Sequence, residues 1–152
     1  MNVLKVVIVT SLLCACGALA GAAPPRPLAS TKPVKVSAAD AAGPIFSSPN
    51  AVKENAGDGP ATDVLLLRSK DRKVEMGLYE AGPSEQDIAA YEEDEFMYFL
   101  AGGVTLTSAD GTVLEVKTGE GVAMPRGWKG HWSTKGYRKY YVTYTGGAKP
   151  KA

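Results

Sequence analysis

The chain has 152 residues, 45% of them apolar and 22% charged, the proportions of one ordinary globular domain with room for a modest core. The formal net charge is +1; Lys5 is the only charged residue among the first twenty, so the rest of the chain holds 16 basic against 16 acidic side chains. A chain so balanced lacks the basic footprint that nucleic acid or an anionic membrane surface requires, and no nucleic-acid partner is expected.

Residues 1–20 place one lysine before an apolar run, Val6 to Leu13, and end on small residues. Ala18-Leu19-Ala20 fits the small-x-small pattern of a secretory cleavage site, which predicts a signal peptide over 1–20 with Gly21 as the mature N-terminus. The apolar run is too short to span a bilayer, so no membrane span is expected. Both cysteines, Cys14 and Cys16, fall inside this segment. Its removal leaves no thiol, and with it no disulfide, thiolate metal site or cysteine nucleophile. An alternative reading takes Leu13-Cys14-Ala15-Cys16 as a lipobox with a lipid anchor on Cys16, although a cysteine two positions before the lipidated one is atypical. Both readings predict a periplasmic or secreted product.

From Gly21 to Pro60 the composition shifts, with seven of the ten prolines and few large apolar residues. Residues 21–61 are expected to form a flexible Ala/Pro-rich linker. Ile45 and Phe46 are its first candidates for docking on the domain, and Asp58-Gly59-Pro60 is read as a turn. Short β-like runs follow over 62–146: Val64–Leu67, Val74–Tyr79, Phe96–Leu100 closed by Gly102-Gly103, and Val104–Thr107. Thr112–Val116, Val122–Met124 and Arg138–Thr145 complete the set. Asp110-Gly111 signals a two-residue hairpin. Ser84–Ala90 is the only stretch read as admitting a helical turn, and residues 147–152 form a tail. About eight short strands at regular spacing imply an all-β sandwich or barrel.

Two stretches are more specific: Tyr91–Gly102, containing Asp94-Glu95-Phe96, Tyr98, Leu100 and Gly102, and Gly119–Trp132, containing Pro125, Gly127-Trp128, Gly130 and Trp132. With Asp110-Gly111 between them and Arg138-Lys139 and Tyr141-Val142 after them, they resemble the two motifs of the cupin superfamily. The nearest branch is the small cupins similar to the ureidoglycine aminohydrolase cupin domain and the ethanolamine-utilisation cupin. The resemblance implies a jelly-roll β-barrel over residues 62–146 and a homodimer. In metal-binding cupins the first motif carries two histidines and a glutamate, and the second a further histidine. Here Glu95 keeps the glutamate, Ala89 and Tyr91 stand at the two histidine positions, and Gly130 stands at the last. His131, the only histidine, neighbours Gly130, and strand alternation turns it to the opposite face from Trp132. One carboxylate without imidazole or thiolate cannot hold a transition metal firmly, so neither metal nor other cofactor is expected.

Alternation also aims Tyr91, Glu93 and Glu95 to one side and Glu92 and Asp94 to the other. Glu95 is either a general acid or base, or the partner of a cation for which Lys139 and Arg138 are candidates. Trp132, together with Tyr91, Tyr98, Tyr140, Tyr141 and Tyr144, lines a pocket or fills the barrel. Tyr91, Glu95, Trp132 and Lys139 are the expected ligand-binding residues, holding a small polar or amine-bearing molecule. The alternative is an enzyme, a hydrolase or isomerase of small nitrogenous metabolites, with Glu95 as its acid–base group or with a non-standard metal site.

Overall fold

In the computed structural model, residues 32–146 are described; the expected signal peptide with Cys16, the start of the linker and the tail 147–152 lie outside them. The ordered chain begins well before residue 62. A short helix α1 (Ala38–Ala41), capped by Ser37 through a reciprocal Ser37–Asp40 capping box, leads into a one-turn 3-10 helix (Pro44–Ser47). The strand β1 (Ala51–Ala56) then pairs with β2 (Gly59–Arg68). The linker reading of 21–61 is thus corrected from Ala38 onward. Its apolar residues are sparse but sufficient: Ala41 and Phe46 are buried against Val64 and Leu78, with Ile45, Leu66, Leu100 and Tyr140 packed around them on the sheet's outer face. The turn also lies earlier than expected, at Gly57-Asp58, with Ala56 opposite Gly59.

The remaining strands are β3 (Val74–Ala81), β4 (Ser84–Ile88), β5 (Asp94–Ser108), β6 (Val113–Lys117), β7 (Gly121–Met124), β8 (Gly130–Thr134) and β9 (Tyr137–Tyr144). All pairs are antiparallel, in the order β1-β2-β3-β9-β5-β8-β4, with β6 and β7 also on β5. The stretch read as a helical turn is therefore β4, whose polar Ser-Glu-Gln-Asp sequence suits an edge strand paired only to β8. The two runs separated by Gly102-Gly103 are one strand. Residues 94–102 of β5 pair with β9 and β7, and residues 103–108 with β6 and β8. One bent strand thus belongs to both halves of the curled sheet, which closes as a half-barrel of jelly-roll type. The bend coincides with a bulge between Phe99 and Ala101.

Alternation along β5 turns Glu95, Met97 and Phe99 inward and leaves Phe96 and Tyr98 outside. Met97 and Phe99 join Leu106, Val116, Met124, Trp132 and Tyr137 in the concave core. The Asp110-Gly111 hairpin has three loop residues rather than two. The Ser108 N–H donates to the Thr112 carbonyl at 2.8 Å, and Gly111 takes the left-handed position (φ 85°) of a turn-plus-bulge loop.

The two positive-φ glycines of β5 and its hairpin separate two costs. A Cβ at Gly111 meets nothing within 4 Å, whereas at Gly102 (φ 67°) it lies 2.0 Å from the Gly136 carbonyl oxygen. Gly111→Ala should cost about 1 kcal/mol, from backbone conformation alone. Gly102→Ala should cost at least about 3 kcal/mol, because the bulge must also open. Urea denaturation of the two variants checks this; equal losses would mean that the bulge is soft.

Candidate functional site

The turn between β1 and β2 approaches the edge strand β4, where the Glu85 N–H donates to Asp58 Oδ1 at 3.1 Å. Inward of this seam lies a cavity of about 390 Å³, walled by Asn55 and Gly57 on one side and Gln86 and Ile88 on the other. That volume falls within the roughly 300–1,000 Å³ typical of small-molecule pockets. The structure brings all four expected binding residues, Tyr91, Glu95, Trp132 and Lys139, to its walls.

Each is placed by strand parity. On β9, Tyr137, Lys139, Tyr141 and Thr143 alternate inward; on β5, Glu95 lies opposite Thr143; on β8, Trp132 is inward. Tyr91 follows β4 and is pinned by its backbone, which accepts from Gly127 N–H at 2.7 Å and donates to the Trp128 carbonyl at 2.8 Å. Glu95 and Lys139 are both buried, and the lysine Nζ donates to Glu95 Oε1 at 2.7 Å. The Tyr91 hydroxyl donates to the other oxygen, Oε2. Three rings surround the ammonium, with centroids 5.5 Å (Tyr79), 5.7 Å (Tyr137) and 5.8 Å (Trp132) from Nζ, within cation–π range.

These contacts decide the lysine's charge. Burial alone would push its pKa down, but the attraction of Glu95 and Tyr137 and the hydrogen bond to Glu95 outweigh it, and the net shift is upward. Lys139 is therefore an ammonium at neutral pH. Burial and the neighbouring Glu95 push the Tyr91 phenol well above its ordinary range, and burial with the Glu54 contact does the same to Tyr79, so both remain neutral donors. Burial raises Tyr137 as well, partly offset by Lys139. Glu93, half-buried at the cavity wall, is also raised by burial, only partly countered by its hydrogen bond from Thr143.

Several cavity residues escape sequence reading. Tyr79 and Tyr137 belong to the cage, and Asp63, buried on β2, accepts from the Tyr141 hydroxyl at 2.8 Å. Parity with Lys139 marks Tyr137 and Tyr141 once β9 is placed; Asp63 and Tyr79 depend on the β2–β3 register, where they lie opposite each other. Of the other tyrosines expected near a pocket, Tyr98 and Tyr144 are exposed and Tyr140 packs on the outer cluster. Each oxygen of Glu95 accepts one hydrogen bond, Oε1 from Lys139 and Oε2 from Tyr91.

Residues 68–141 match the family of EutQ-like cupin domains. This stretch is a cupin domain. It is of the EutQ-like type. Among solved structures, the EutQ protein of Clostridium difficile is similar over 73% of this chain and 80% of its own, at 23% identity and a TM-score of 0.51. A protein of unknown function from Rhizobium leguminosarum bv. viciae matches over 74% and 97%, at 24% identity and 0.51. A DUF861 protein of Pseudomonas syringae pv. tomato matches over 61% of this chain at 20% identity and a TM-score of 0.58, and the chain spans only 43% of that protein's length. At these identities the likeness speaks for the fold. No curated protein matches the chain.

The ligand set of a metal-binding cupin does not fit this chain. Of its four positions only Glu95 keeps the expected ligand, and it holds Lys139; the Tyr91 hydroxyl at a histidine position donates to the same carboxylate. A side chain at Gly130 would begin 2.2 Å from the Thr107 carbonyl and 2.6 Å from the Trp128 ring, so an imidazole cannot be accommodated there. His131 lies on the outer side, Nδ1 2.7 Å from Asp87 Oδ1. Among the described residues no group of three or more His, Cys, Asp or Glu side chains converges as a metal site.

Breaking the buried pair leaves a charge without its partner, so Lys139→Met should cost about 3–5 kcal/mol, and Lys139→Met/Glu95→Gln clearly less. The pH dependence follows from the raised lysine pKa. The pair's stabilisation is fully present below the unfolded lysine value, about 10.4, and is lost as pH rises through the higher folded value. Denaturation at pH 8 and at pH 11 should show the wild type losing more stability than the double variant; parallel losses would mean that Lys139 is neutral in the fold.

Proposed function

We propose that this protein is an exported, metal-independent cupin whose cavity binds a small, donor-rich cation such as an amine, amidine or guanidine-bearing metabolite. The observation that carries this reading is the chemistry of the lining: four carboxylates, Asp63, Glu75, Glu93 and Glu95, against two cations, the Lys139 ammonium on Glu95 and, just outside the lining, the Arg68 guanidinium on Glu75. Three of the four lining tyrosines already donate to carboxylates, Tyr79 to Glu54, Tyr91 to Glu95 and Tyr141 to Asp63. What a ligand meets is chiefly acceptors, negative charge and ring faces, the environment that favours cations over acids or neutral acceptors. Donors oppose this trend at the Asn55 and Gln86 amides, the Tyr137 hydroxyl and the buried Trp132 indole; the Trp132 N–H has no hydrogen-bond partner among the described residues, and a single acceptor atom on the ligand would satisfy it.

Within this reading Glu93 is the carboxylate that meets the ligand, since Glu95 is engaged. Calorimetric titration with a panel of small amines, guanidines, carboxylates and sugars should show binding by the cations, weakened about tenfold in Glu93→Gln, the loss of one charged contact. Because burial raises the Glu93 pKa, affinity should fall on acidification at a higher pH than for an ordinary glutamate. Preferential binding of carboxylates would overturn the reading.

Export rests on residues 1–20, and the homodimer on the family resemblance, which the outward Phe96, Tyr98 and Met76 on the outer sheet face support. Intact-mass analysis of protein recovered from the envelope fraction should give a chain beginning at Gly21. A lipid-modified Cys16 would make it a lipoprotein, and an unprocessed Met1 would contradict export.

A further inference from the structure

The cation that a metal-binding cupin takes from solution is here part of the chain. We infer that the cage of Glu95, Tyr79, Trp132 and Tyr137 is a primary-ammonium receptor filled in cis by Lys139, and that this filling limits the cavity to ligands with a single cationic head. The second half rests on the binding reading above; the first does not.

The cage is complete without the lysine backbone. Its carboxylate comes from β5, and its rings from β3, β8 and β9. Lys139 contributes only a four-carbon stem ending in an ammonium, the shape of n-butylamine. Three π faces and one carboxylate oxygen match an ammonium, which needs diffuse negative potential and one or two acceptors. They do not match a transition ion, which needs several lone pairs at about 2 Å. The Tyr91 hydroxyl holds Oε2 of Glu95, which leaves Oε1 for Nζ.

Geometry then sets a limit on ligands. While Lys139 holds Oε1, a ligand's cation cannot reach Glu95 and must stop at Glu93, two residues earlier and half-exposed. A second ammonium carried deeper meets the Lys139 charge instead of a carboxylate. Removing the lysine side chain opens the inner position, so that a diamine of suitable length spans Glu93 and Glu95.

The test uses the mature chain, Lys139→Ala and Lys139→Ala/Glu95→Gln, with n-butylamine, n-butanol and 1,4-diaminobutane as probes. Butylamine should raise the melting temperature of Lys139→Ala, while butanol should not and the double variant should respond to neither. In Lys139→Ala, diaminobutane should bind at least about tenfold more tightly than butylamine, whereas the wild type should show no such preference. If Lys139→Ala does not fold alone, refolding from denaturant with butylamine or butanol replaces the melt. Recovery with the amine only supports the receptor, and recovery with neither or both overturns it. Equal shifts with butylamine and butanol, or an equal amine response in the double variant, likewise overturn it. Wild-type binding of monoamines tests the proposed function separately: its failure with successful rescue of Lys139→Ala would sink that reading and leave the receptor standing.

Discussion

Everything distinctive about this barrel depends on one buried contact, the 2.7 Å bond between the Lys139 ammonium and Glu95. Two ions removed from water are costly unless each is well solvated by its surroundings. Here Glu95 is satisfied twice, by lysine and by the Tyr91 hydroxyl, and the lysine is enclosed by three ring faces. That arrangement makes the pair tolerable and keeps the lysine charged. The glutamate at the metal-motif position thus has a cation to hold, the chain's own lysine.

The rest of the interior is organised around that charge. Inward positions of β9 supply Tyr137, Lys139, Tyr141 and Thr143 in unbroken alternation, so one strand carries the ammonium and half of its polar surroundings. The bent β5 brings Glu95 to the same level and continues past its bulge into Leu106 and the core beneath. The N-terminal helices act on the other face, covering Val64 and Leu78, and leave the cavity open between β1 and β4. Core, cavity and outer layer thus divide one curled sheet among them.

Much of this was legible in the residues. Repeated short β-runs with turn signals define an all-β chain, and motif order identifies its family. Alternation correctly set His131 outside and Trp132 inside. The Glu95–Lys139 contact could be named as a candidate because both sit at inward positions of strands that the motif places. What failed were inferences from composition. Sparse apolar residues in 38–61 suggested a linker, yet Ala41 and Phe46 suffice when a sheet face awaits them. Gly102-Gly103 looked like a strand end, because a glycine in a bulge and a glycine in a turn are chemically the same residue. Asp63 and Tyr79 were invisible because their place in the cavity depends on a long-range register that no local pattern encodes.

The central claim is that the barrel's cation is its own lysine. A crystal structure of the protein soaked with manganese or zinc, with anomalous data collected at the metal edge, decides whether this holds. Lys139 Nζ should remain on Glu95 within the ring cage, with no anomalous density at that carboxylate. A metal peak on Glu95, with the lysine displaced from the cage, would contradict it.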